Sequence, residues 1–214
     1  MQLFVRTALA LLVLNSCGNA EVKKQPDNAG SHEHHAATGM QANNGAPDYA
    51  DSVNAGYIEK DTLKGSPARM AMANIGKSHV HIEYHSPATR DRVIWGGLVP
   101  YGAVWVTGAH SATSINFSRD VTIQGQPIKA GTYAFFTIPG KDKWIVILNT
   151  RFDQHLTDQY NQQEDVARFE VTPIQSDKNV PRLNYSVVSL SDTSGTINME
   201  WEKIKISLPA SASK

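Results

Sequence analysis

From about Ser66 onward, apolar residues recur in short runs, either alternating with polar ones or continuous, and turn residues break the runs every eight to twelve positions or so. Val80, Ile82 and Tyr84 alternate with His79, His81, Glu83 and His85, which predicts a strand with one buried face. Ile115 and Phe117 mark another, ending near Arg119 and Asp120. Val121 to Ile123, a Gln124-Gly125 turn and Ile128 read as a hairpin. Gly131 opens a run from Thr132 to Ile138 that Pro139-Gly140 closes. Trp144 to Leu148 is apolar throughout, as expected of a strand covered on both faces. Strands resume at Val166–Val171, Leu183–Leu190 and Thr196–Leu208.

The last run changes phase. Ile197, Met199 and Trp201 occupy odd positions, whereas Ile204, Ile206 and Leu208 occupy even ones, so a bulge is predicted near Glu202-Lys203 to keep one face buried. Phe152, Leu156 and Tyr160 fall at i, i+4 and i+8, which predicts one short helix within the domain. Nine or so strands with no βαβ alternation indicate an all-β fold: a single antiparallel β-sandwich, jelly-roll or immunoglobulin-like, over residues 66–214.

The N-terminus reads differently. Arg6 precedes an apolar run from Ala8 to Leu14, and Leu14-Asn15-Ser16-Cys17 follows. A positive start and a run this short describe a secretory signal rather than a membrane span. Its end resembles a bacterial lipobox, with Ser16 before a cysteine that is the only one in the chain. The expectation is a signal peptide over residues 1–16 and a lipidated Cys17 holding the protein to the membrane, outer membrane or periplasm-facing. Residues 17–65 are poor in large apolar side chains and read as a polar tether. Within it, Tyr49, Val53 and Tyr57 are spaced four apart, enough for a short helix between Asp48 and Lys60.

Charge narrows the partners. The 214 residues carry 20 Lys+Arg against 20 Asp+Glu, without the basic excess of a nucleic-acid binder. A single cysteine rules out an internal disulfide and a cysteine zinc cluster. No nucleophile elbow, phosphate-cradling loop or dinucleotide fingerprint occurs.

Several stretches are distinctive: Tyr84-His85-Ser86-Pro87 through Arg92, Ile94-Trp95-Gly96-Gly97 through Gly102, and Val104 through His110 with Ala112-Thr113. With Ala130–Tyr133, Phe136–Pro139 and Trp201-Glu202, they resemble the bacterial family catalogued as domain of unknown function 2911, over roughly Ser66 to Leu208. The resemblance implies an exported, often lipid-anchored, β-rich protein and carries no activity with it. Val106 and His110 depart from the family's commoner Arg and Asn, so the chemistry of this site is expected to differ.

The histidines are the strongest chemical signal. His79, His81, Glu83 and His85 share one strand face, with neighbours i and i+2 roughly 6.6 Å apart and i and i+4 about 13 Å apart. One ion could therefore take His79 with His81, or His81 with Glu83, and His110 from the loop after Trp105 as a further ligand. Imidazole and carboxylate suit Zn²⁺, Cu²⁺, Ni²⁺ or non-haem iron. The alternative is a solvated strand face that happens to carry histidine. His32-Glu33-His34-His35, with Met40 nearby, is either a weak metal scavenger or part of the polar tether. Trp95, Trp105 and the glycines between them offer an aromatic platform for a glycan, or else close one end of the sandwich. Arg92, Trp105 and Thr107 are the candidate ligand-binding residues, Arg92 through its two-donor fork. Three functions remain open: an envelope lipoprotein binding a small molecule or metal, a metal-dependent hydrolase or oxygenase using the histidines, and an interaction module without a small-molecule site.

Overall fold

The computed structural model describes residues 47–213. The signal peptide, Cys17, Met40 and the His32–His35 cluster lie outside the described residues. Ten strands form two antiparallel sheets, confirming the all-β sandwich. The larger sheet has the order β1(Ala68–Ile75), β2(Ser78–His85), β3(Ser114–Phe117), β6(Gly131–Ile138), β7(Trp144–Asn149), β8(Asp165–Val171). The smaller runs β5(Gln126–Ile128), β4(Val121–Ile123), β10(Ser194–Ala212), β9(Ile174–Ser189). Among the described residues, no helix is long and apolar enough to cross a membrane.

Alternation decides which side chains enter the core. Val80, Ile82, Tyr84, Ile115, Phe117, Tyr133 and Phe135 from the larger sheet meet Leu183, Tyr185, Ile197, Met199, Trp201 and Ile206 from the smaller. The predicted bulge is present: β10 shifts register against β9 on both sides of Glu202, whose φ of +55° absorbs the extra residue. Trp201 and Ile206 are consequently both buried despite their opposite parity. The four indoles gather at one end of this core. Trp105 stacks on Trp201 with ring centres 5.7 Å apart, and Trp95 meets Trp144 edge-on at 4.9 Å. They are packing, not an exposed platform.

One strand was illegible in the sequence. β1 is Ala68-Arg69-Met70-Ala71-Met72-Ala73, with little contrast between its faces, and the residue it buries most fully after Ile75 is the charged Arg69. That guanidinium is anchored by the stretch preceding the sandwich. Its Nε donates to Asp48 Oδ2 at 2.7 Å and its Nη2 to Asp51. Asp48 and Asp51 also form a reciprocal capping box on the short helix α1(Tyr49–Asn54). Arg182 of β9 is fully buried and pairs with Asp61 Oδ2 at 2.7 Å, while its other nitrogens donate to the Leu63 and Ser86 carbonyls. Residues 48–63, within the expected tether, thus lie against the sandwich through two buried arginines.

The helix expected from Phe152 to Tyr160 does not form. Its backbone is used elsewhere: the Gln154 carbonyl accepts from Ala112 N–H at 2.9 Å, and Leu156 N–H donates to the His110 carbonyl at 2.6 Å. Leu156 sits at φ +46°, which no helix interior permits. Gln154 holds the irregular turn: its Nε2 donates to the Arg151 carbonyl and its Oε1 accepts from Gln159 N–H. The i, i+4 pattern arose because Tyr160 packs on Phe136 while Phe152 remains largely exposed.

Candidate functional site

The outer face of the larger sheet is covered over only part of its width. Over β6 and β7, the loops around residues 104–112 and 152–160 lie down on the sheet, and Val106, Ala112, Ala134, Phe136 and Ile147 form a second small core with Tyr160 packed against it. Over β2 and β3 the face stays open. At the margin between covered and open parts lies a cleft of about 440 Å³. Glu83 and His85 of β2, Ser114 of β3 and Thr132 of β6 form its floor, and Ser111, Phe152 and Asp153 its rim. Among the described residues, no lysine or arginine lines it.

The rim is held rigidly. Gly108 presses against β2: a β-carbon there would stand 2.7 Å from Thr113 Oγ1 and 3.3 Å from the His85 carbonyl oxygen. Tyr185, reaching across from the smaller sheet, donates its hydroxyl to the Thr107 carbonyl at 2.9 Å, and Thr113 Oγ1 donates to the same oxygen at 3.1 Å. Burial pushes the Tyr185 phenol well above its usual pKa, so it stays a donor. Thr107 and His110 both take positive φ, 52° and 61°, conformations uncommon outside glycine. The result carries His110 back onto β2, where its ring meets that of His85 with centres 5.1 Å apart and planes 79° apart. Burial, and secondarily the neighbouring His110, lowers the His85 pKa and favours its neutral form.

Of the residues expected to form a metal site, His79, His81 and Glu83 do share the outer face of β2. They do not converge with His110, which lies instead beside His85. His79 Nδ1 is bonded to Asn74 Oδ1 at 3.0 Å, and His81 Nε2 faces Glu83 Oε1 at 3.6 Å. Among the described residues, no group of three or more His, Cys, Asp or Glu is arranged to hold a metal ion. The ligand-binding trio is placed elsewhere too. Trp105 belongs to the indole cluster, and Thr107 is fully buried with its hydroxyl bonded to Thr137 Oγ1 at 2.9 Å. Arg92 spends Nε and Nη2 on the Thr89 and Ala88 carbonyls, closing the turn after Pro87. None of the three lines the cleft.

Sequence reasoning missed His85, Ser111 and Asp153 as site residues. His85 carried a usable signal, since it ends the histidine-bearing face immediately before Ser86-Pro87. Asp153 falls in the stretch whose spacing predicts a helix, and no local pattern marks Ser111. Fold and cleft together define a β-sandwich with one sheet half open and an acidic, imidazole-bearing pocket on its exposed side. The family described as "Protein of unknown function (DUF2911)" matches residues 66–210, and the chain belongs to it. No curated protein and no solved structure matches the chain.

Proposed function

We propose that this protein is exported, anchored in the cell envelope through a lipid on Cys17, and binds a small cationic ligand in the cleft on the outer face of β2 and β3. The lining of the cleft carries the reading: two carboxylates, Glu83 and Asp153, the hydroxyls of Ser111, Ser114 and Thr132, and one apolar wall from Phe152. With no opposing cation in that lining, the field inside favours positive charge. The volume of about 440 Å³ falls in the range of small-molecule sites.

Calorimetric titration with amino sugars and polyamines, beside sugar acids of similar size, tests the cleft. Saturable binding of cations alone is expected, weakened in the Glu83→Gln/Asp153→Asn double variant. Equal binding of anions, or no binding of any organic or metallic cation, overturns the reading. The anchor rests on the lone cysteine at the end of the apolar N-terminal run. Cys17→Ala should move the protein from the membrane to the soluble fraction, and unchanged sedimentation with membranes counts against a lipid on that residue.

A further inference from the structure

Two of the five described histidines, His85 and His110, pack ring against ring, whereas the other three face an amide or a carboxylate. His79 is bonded to Asn74 and His155 Nδ1 lies 2.9 Å from Asp158 Oδ2, while His81 Nε2, without a hydrogen-bond partner, lies 3.6 Å from Glu83 Oε1. His85 and His110 meet each other, and among the described residues no ring nitrogen of either has a hydrogen-bond partner.

Their spacing, within the range of ordinary edge-to-face ring contacts, also matches that of two imidazoles on one ion. A metal–nitrogen bond of about 2.0–2.1 Å, with the ring centre roughly 1.1 Å further on, puts two imidazoles at a tetrahedral angle about 5.2 Å apart, centre to centre. The observed distance is 5.1 Å. By contrast, the rings of His79 and His81 are 6.4 Å apart, a separation that one ion could bridge only with its two nitrogens nearly in line.

We propose that His85 and His110 together hold a divalent transition-metal ion, Cu²⁺ or Zn²⁺, at the mouth of the cleft. The assignment names the class of cation that the acidic cleft takes, and it rests on the cation-binding reading of that cleft. The pair supplies two imidazole ligands and water completes the coordination, leaving positions open towards the cleft. Glu83 and Asp153 act through their charge, raising the local concentration of cations. The strained backbone at Thr107 and His110 keeps the second imidazole in place before the ion arrives.

The test is calorimetry with Cu²⁺, Zn²⁺ and Mg²⁺ on the full chain carrying His32→Ala, His34→Ala and His35→Ala, which removes the N-terminal cluster as a competitor. One equivalent of Cu²⁺ should bind, Zn²⁺ more weakly, and Mg²⁺ not at all. His110→Ala, on an exposed loop, and His85→Ala should each weaken Cu²⁺ binding by roughly tenfold or more. His79→Ala and His81→Ala should leave it unchanged. Loss of binding in those two variants instead, or no stoichiometric binding in the parent, overturns the assignment. If organic cations still bind while metals do not, this inference fails and the cleft reading stands; if neither binds, both fail.

Discussion

The two faces of the six-stranded sheet are built from the same strands and come to opposite ends. Inward, Val80, Ile82 and Tyr84 of β2, Ile115 and Phe117 of β3, and Tyr133 and Phe135 of β6 are apolar and pack into one continuous core with the second sheet. Outward, the same strands present His79, His81, Glu83, His85, Ser114, Asn116 and Thr132, and only the β6–β7 portion is covered, by loops rather than by a sheet. The inner face stores stability; the outer face leaves chemistry within reach of solvent. The cleft sits at the boundary, where a rigid cover stops and an open polar surface begins. Rigidity comes from the covered side and accessibility from the open one.

Truncation on each face measures that division. Trp201→Ala removes a fully buried indole that touches both Trp95 and Trp105, and should cost about 4–5 kcal/mol in urea unfolding. Phe136→Ala, in the smaller outer core, should cost about 3 kcal/mol, because loops collapse around a void more readily than two facing sheets. Equal or reversed costs would mean that the outer cover is as much a core as the inner one. Asp61→Ala should also cost about 3 kcal/mol, by leaving Arg182 buried without its carboxylate. A cost within about 0.5 kcal/mol, the range of ordinary surface substitutions, would show that residues 48–63 merely lie on the sandwich without supporting it.

The smallest effect is a pH dependence confined to the outer face. The native pKa of His85 lies below the ordinary value near 6.5. Between those two values the unfolded chain binds a proton that the native one does not, so stability falls as pH is lowered through that window. His85→Gln should flatten the part of that loss that sets in as pH falls through the ordinary imidazole value near 6.5. An acid limb that persists unaltered assigns it to other groups.

Much of the inner face could be read directly from the sequence because burial there imposes a period of two. Alternation in Val80–Tyr84 located β2, and the parity change between Trp201 and Ile204 located the bulge at Glu202. The outer face imposed no such period. β1 escaped notice because alanine and methionine blur the contrast between its sides and its buried Arg69 is satisfied by residues about twenty positions before it in the chain. The stretch from Phe152 to Tyr160 imitated a helix because loop residues that touch a sheet at intervals can match a helical spacing by coincidence. The meeting of His85 and His110 depended on a loop path set by Gly108, Tyr185 and two positive-φ residues, and no spacing rule connects those positions.

The sharpest measurement is a Zn²⁺ titration of the ¹⁵N-labelled chain, with the N-terminal histidines replaced, followed through its imidazole nitrogen signals. The cleft should reveal itself by His85 and His110 shifting together and reaching a plateau at one equivalent, with His79, His81 and His155 unmoved. Independent shifts of the pair, or movement of His79 and His81 at lower Zn²⁺ than the pair requires, would contradict a cation site at the edge of the covered sheet.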